Sequence, residues 1–187
     1  MAKRSSYAKE AEEKMKKTLE HFEDELKKVR TGRPTTAIFE DIKVDYYGMP
    51  TPINQVATLS VGEERTVVIT PWDKKMLEPI EKAINASNFG FHAINDGNVV
   101  RVSFPNPTIE ERRKLVKAIK EMLEETKVAL RNIRRDDIKK VKEIKNEGSI
   151  SEDEAKKFEE EIQEILKENE DEAEKIFQRK EKEIMES

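Results

Sequence analysis

The stretch MKKTLEHFEDELKKVRTGRP, residues 15–34, joins two kinds of chain. Met15, Leu19, Phe22, Leu26 and Val29 recur at alternating spacings of four and three. On a helix this spacing draws one apolar seam, the pattern of a bundle or coiled coil. The seam ends at Arg30-Thr-Gly-Arg-Pro34, where glycine and proline punctuate the chain. From Pro34 onward the texture changes. All seven prolines lie between Pro34 and Pro107. Residues 34–104 carry six basic and nine acidic side chains, about 21% of the segment, against about 53% of the remaining 116 residues. Long charged helices therefore flank an ordinary small globular segment.

Two further seams lie beyond the insert. Thr108-Ile-Glu-Glu111 has the form of a capping box, and behind it Ile119, Leu123, Leu130, Ile133, Val141 and Ile144 share one stripe. Gly148 is a C-terminal stop, Ser151 and Glu154 form a second capping box, and Phe158, Ile162, Ile165, Asn169, Ala173, Ile176 and Ile184 follow. Three amphipathic stripes bury one another best as an elongated antiparallel three-helix bundle. At 1.5 Å per residue its second helix spans roughly 57 Å.

Inside the insert, Ile38, Ile42, Val44 and Tyr46 read as one alternating strand. Residues 56–61, 66–70 and 99–104 read as further strands, Asn95-Asp-Gly-Asn98 as a tight turn, and Asp73 as the cap of a helix carrying Met76, Ile80 and Ile84. The expected fold class is α+β. The bundle comprises 1–30 plus 108–187, and a small domain of strands around one helix occupies 34–104. The two crossings, 30–34 and 103–108, hold Arg30, Thr31, Gly32, Arg33, Pro34, Pro105, Asn106 and Pro107. They read either as a two-stranded hinge or as ordinary linkers.

Composition excludes several classes. The net charge is −4 with both signs abundant, so any nucleic-acid contact must come from a local patch. There is no Cys, hence no disulfide or thiolate metal site. No apolar run reaches the roughly 20 residues of a membrane span, and the N-terminal MAKRSSYAKEAEEK lacks a signal-peptide pattern, so a cytoplasmic protein is expected. His21 and His92 fall in different expected domains, and no nucleotide-binding loop or nucleophile motif occurs. No enzyme, metal or cofactor is expected.

One local patch stands out. On the second bundle helix, Arg131 and Arg135 lie about 40° apart, Lys127, Lys142 and Lys145 fall within about 40° of Arg131, and Arg134 lies about 60° away toward the seam. Such a ridge is either a solvated surface or a handle for RNA phosphate, for which the planar arginine fork is well suited. Tyr46-Tyr47-Gly48, followed by Met-Pro-Thr-Pro52, reads as a strand end and a proline-rich turn, with one tyrosine entering the core. Trp72 also reads as core.

Arg30-Thr-Gly-Arg33, Asp45-Tyr-Tyr-Gly48 with Thr51-Pro52, Glu81-Lys-Ala-Ile-Asn-Ala-Ser87, Thr108-Ile-Glu-Glu-Arg-Arg113 and Arg131-Asn-Ile-Arg-Arg-Asp136 together resemble the ribosome recycling factor family. They occur in the family's order and the match runs essentially end to end. The chain departs at Pro34-Thr35-Thr36, where many members have an Ala-Ser-Pro-like stretch. Its Lys- and Glu-rich surface suits a heat-adapted or an engineered chain alike.

The resemblance implies an L-shaped, monomeric, non-enzymatic molecule whose bundle and β/α/β domain meet at a flexible elbow. It implies binding to the large ribosomal subunit after peptide release, and splitting of the ribosome together with elongation factor G and its GTP. Arg131, Arg134 and Arg135 would contact 23S rRNA, with Arg30, Arg33, Lys127 and Lys142 as further candidates. The insert would face elongation factor G. Neither DNA nor membrane is an expected partner. The competing reading is a coiled-coil adaptor or chaperone-like protein, whose mark would be a large exposed apolar patch.

Overall fold

The computed structural model describes residues 4–187, so the first three residues of the N-terminal stretch lie outside it. In chain order the elements are α1 (Ser6–Lys28), β1 (Lys43–Tyr46), β2 (Met49–Pro52), β3 (Ala57–Val61), β4 (Thr66–Pro71), α2 (Leu77–Ala86), β5 (His92–Asn95), β6 (Val100–Ser103), α3 (Ile109–Asn146) and α4 (Glu152–Glu186). One compact unit runs up to Thr31 and resumes over Ile109–Glu186; the other is Gly32–Thr108.

The helical unit follows its three seams. Met15, Leu19, Phe22 and Leu26 of α1 bury against Ile119, Leu123 and Leu130 of α3 and Ile165, Ala173 and Ile176 of α4. Polar pairs fix the register. Lys14 meets Asp137 at 2.8 Å and Glu10 meets Lys140 at 3.1 Å, so α1 and α3 run antiparallel. Lys127–Glu174 and Arg131–Glu170, at 2.9 and 2.8 Å, show the same for α3 and α4. The helix ends have local causes. Ser5 Oγ accepts from the Ala8 N–H, and also donates to Glu161 Oε2 at 2.6 Å, which ties the start of α1 to α4. After α3, Gly148 takes φ 80°, and the Gly148 and Ser149 N–H groups donate to Lys145 O and Ile144 O. This double bond turns the chain sharply, and glycine carries the positive φ without Cβ strain. The Ser151–Glu154 capping box forms in both directions, at 2.9 and 3.1 Å.

In the other unit, an antiparallel sheet has the order β3-β4-β6-β5, and β1-β2 forms a separate hairpin. Because β6 lies between β4 and β5 and is antiparallel to both, β4-α2-β5 is a split crossover. α2 covers the sheet with Leu77, Ile80 and Ile84, joined in the core by Phe39, Ile53, Val67, Ile69, Val100 and Val102. Asn85 secures the edge strand: its amide donates to Ala93 O at 3.2 Å and accepts from Ala93 N at 2.9 Å. Asp73 accepts from Lys75 N at 3.0 Å and caps the 3₁₀ turn that leads into α2.

Four readings of the insert need correction. The alternating stretch 38–46 is a strand only from Lys43; Ile38 sits in a 3₁₀ turn over Ala37–Glu40. Residues 49–52 are not a turn but the strand β2, paired with β1 through the two-residue turn Tyr47-Gly48, with φ 49° and 82°. Two positive φ values match the twist of a tight hairpin, and Gly48 supplies one at no steric cost. Neither Tyr46 nor Tyr47 enters the core, and Trp72 is 70% exposed rather than core.

Asp137 is the buried charge of the bundle, 4% exposed, and its Oδ2 has no hydrogen-bond partner among the described residues. Its hydrogen bond holds Lys14 charged, raising that pKa from 10.5 to about 12. A folded pKa above the unfolded one stabilises fully below the unfolded value, and this contribution is lost as pH rises from about 10.5 toward 12. Lys14→Met strands the carboxylate and is expected to lower the unfolding free energy at pH 7 by about 3 kcal/mol in urea titration. The gap between wild type and variant should narrow as pH climbs through that window. A loss below about 1 kcal/mol would place the pair with ordinary surface pairs.

Candidate functional site

The arginines of α3 lie where a helix packed on one side must put its polar face. Leu130 is fully buried, whereas Arg131 and Arg135 are exposed and Arg134 is half-buried. The ridge is not free of partners. Arg131 Nε donates to Glu170 Oε1 at 2.8 Å and Arg134 Nη1 donates to Gln163 Oε1 at 3.2 Å. Lys127, its side chain 20% exposed, donates to Glu174 Oε2 at 2.9 Å. That hydrogen bond is the main reason its pKa is raised. Arg135 lies 3.8 Å from its neighbour Asp136 and is 71% exposed. Lys142 is exposed, with no ion partner among the described residues.

These contacts form rungs between α3 and α4. Glu170 and Glu174 are one helical turn apart and face Arg131 and Lys127, also one turn apart. Sequence reading missed both carboxylates, because a seam gives each helix a buried face but not which exposed residues meet across a groove. Lys127 is therefore chiefly an interhelical strut. Arg131 uses only its Nε in its rung, which leaves the outer guanidinium N–H groups for an anion. Arg135 points the largest exposed guanidinium of the ridge outward.

The crossings are organised from the insert side. Arg65, in the turn between β3 and β4, donates from Nη2 to Gly32 O and, at 3.3 Å, to Pro105 O. Its Nε lies 3.4 Å from Phe104 O, and its own carbonyl accepts from Phe104 N at 2.9 Å. Gly32 has φ 77°, and a Cβ there would stand 2.5 Å from Pro107 Cγ, so only glycine lets the two crossings approach this closely. Thr31 is buried, and Arg30 and Arg33 are exposed. Arg65 gave no signal in the sequence: it is one of only six basic residues in the insert, in no recognisable pattern.

A third feature is an exposed apolar cluster. Tyr47 and Met49 are 81% and 70% exposed, and the Tyr46 and Tyr47 rings meet edge-on at 4.7 Å. The Tyr47 hydroxyl lies 3.4 Å from Asp73 Oδ2, beside exposed Trp72, and that carboxylate pushes the phenol pKa up.

Among the described residues no group of three or more His, Asp or Glu side chains is placed to hold a metal, and no helix is long and apolar enough to cross a membrane. His21 lies exposed on α1 and His92 on β5, in different units.

A helical bundle interrupted by a split β-α-β unit, with a basic ridge and an apolar cluster on its surfaces and no cluster of metal ligands among the described residues, has the build of a binding protein. The family model described as ribosome recycling factor matches residues 22–185. The ribosome-recycling factor of Thermotoga petrophila is 62% identical over 178 residues, 95% of this chain and 96% of its own. That of Thermotoga maritima is 59% identical over 180 residues, 96% and 97% of the two chains. Among solved structures, the solution structure of a ribosome recycling factor aligns with a TM-score of 0.69 at 41% identity, covering 97% of this chain and 96% of that one. A second, of the T. thermophilus ribosome recycling factor with E. coli elongation factor G on the E. coli post-termination complex, aligns with a TM-score of 0.57 at 40% identity, covering 95% and 96%. The chain belongs to the ribosome recycling factor family, a family of non-enzymatic translation factors.

If the ridge serves binding rather than folding, its exposed rungs contribute little to stability. Arg131→Ala and Glu170→Ala should each change the unfolding free energy by less than about 1 kcal/mol. Denaturant unfolding of the two single variants and the double variant measures this. A coupling well above that value would make the ridge part of the scaffold.

Proposed function

We propose that this chain binds the large ribosomal subunit through the backbone of 23S rRNA, using Arg131, Arg134 and Arg135, with Arg30 and Arg33 as secondary contacts. The observation that carries the proposal is the outer row of guanidinium groups on α3, a helix held in place by its buried seam against α1 and α4. A rigid helix presenting arginines at fixed spacing suits structured RNA phosphate. The related factor bound to a post-termination complex supports the same surroundings for this chain. Lys127 and Lys142 play lesser parts: the first is committed to Glu174, and the second carries a compact ammonium rather than a fork.

The bundle anchors and the insert receives the push. Tyr46, Tyr47, Met49 and Trp72 are the face offered to elongation factor G, since exposed aromatic and methionine side chains are favoured in protein interfaces. GTP bound by the partner supplies the free energy. The two crossings act as an elbow, and the factor works as a lever that parts the subunits. It acts as a cytoplasmic monomer. The adaptor reading is not favoured, because the chain matches the ribosome recycling factor family over residues 22–185.

Two measurements test this. Co-sedimentation with purified large subunits across a salt series should show binding that falls with salt, weakened by roughly 1.5–3 kcal/mol in Arg131→Ala, with a shallower salt slope. Equal affinities at moderate salt would remove Arg131 from the interface. A chemical bridge tying the insert to the bundle, so that the elbow cannot bend, should abolish splitting by elongation factor G while sparing binding. Normal splitting by the bridged protein would rule out the lever.

A further inference from the structure

We infer that Arg65 is a positioning residue that clasps both crossings to the insert, so that a push on the insert reaches the two chain segments together. The inference rests on the lever reading above and adds the part that transmits the motion.

The geometry is specific. One guanidinium lies against carbonyls from three residues on two chain segments far apart in sequence: Gly32 on the outgoing crossing, and Phe104 and Pro105 on the returning one. Arginine has five N–H donors in a planar fork and can serve several acceptors at once, which lysine, with a single point of charge, does less well. The turn bearing Arg65 is shaped for the task. Glu64 and Arg65 both take left-handed backbone, φ 52° and 57°, although neither is glycine. Such backbone persists where the surroundings hold it. The holding bonds are visible: Gly62 N to Thr66 O at 2.7 Å, Thr66 N to Glu63 O at 3.2 Å, and Phe104 N to Arg65 O at 2.9 Å.

The crossings are also brought together independently of Arg65, by the approach of Gly32 to Pro107. Every acceptor in the clasp is a backbone carbonyl, so it grips the path of the chain and not particular side chains. Two crossings held by one fork move with the insert as a single piece. Arg65→Ala removes the side chain that bonds both segments at once, and a push on the insert is then partly lost in their separate bending.

The chain contains no Cys, so spin labels can be placed cleanly at two engineered cysteines, for example at exposed Lys17 on α1 and Thr58 on β3. The distance distribution between them, read by pulsed electron resonance, is expected to broaden in Arg65→Ala. Co-sedimentation with large subunits should be unchanged, and splitting by elongation factor G and GTP should fall several-fold. Arg65→Lys should fall between the two. Gly32→Ala, which leaves Arg65 intact but drives a Cβ into Pro107, should broaden the distribution as well. If Arg65→Ala unfolds the insert, Arg65→Lys takes its place and is read in the same way. An unchanged distribution in the folded variant overturns the clasp and leaves the lever standing. A broadened distribution with full splitting activity overturns the positioning role. Failure of the lever itself shows separately, as normal splitting by the bridged protein.

Discussion

The constraint on which the rest depends is the return of α1 to α3 and α4 across a long interruption. The α1 seam has no partner of its own; Phe22 and Leu26 are buried only because α3 and α4 supply the other walls of the core. Closing that core requires the chain to leave at Thr31 and come back at Ile109, which brings two crossings side by side. The Gly32–Pro107 approach and the Arg65 bonds follow from that requirement. A thin core of three helices gains stability along its length, layer by layer, and tolerates an insertion at one end because no layer is broken in the middle.

Charge does two jobs on the bundle, and exposure separates them. The Lys14–Asp137 pair lies inward, with a carboxylate almost out of water, and sets how α1 registers against α3. The Arg131–Glu170 pair lies at the rim, where water screens it and little energy is at stake. Low cost at the rim is useful for a binding residue. On the proposed reading Arg131 exchanges its carboxylate for a phosphate without disturbing the fold, whereas a neutral side chain in place of Lys14 strands the Asp137 carboxylate. The same carboxylates on α4 moderate the positive field of the ridge in a chain of net charge −4.

In the insert the surface is a compromise between strand pairing and exposure. The β1–β2 hairpin turns through Tyr47-Gly48, and a tyrosine in left-handed backbone at the tip of a hairpin is held out into solvent. Trp72 follows β4, whose Pro71 is buried while Trp72 itself faces outward. Large apolar side chains at such sites contribute little to the core, which is already filled by Phe39, Ile53 and Ile80. Their exposure is a property of the folded surface and not of the residues' hydrophobicity.

The sequence by itself determined the three helices, their seams, the stop at Gly148, the Ser151–Glu154 box, the site of the interruption and the family. Each is encoded by neighbours within a turn or two, where helical periodicity, capping chemistry and glycine conformation act locally, or by motifs in fixed order. The arginine ridge was legible for the same reason, since one helix has one solvent face. Only the tertiary structure decided which exposed side chains meet. Glu170 beside Arg131, Asp137 beneath Lys14, Arg65 across both crossings, and Trp72 outside rather than inside all depend on segments 33 to 123 residues apart, or on how a small core happened to fill. Local patterns fix which face of an element is apolar. The partner that each polar group finds is fixed only when those faces are packed together.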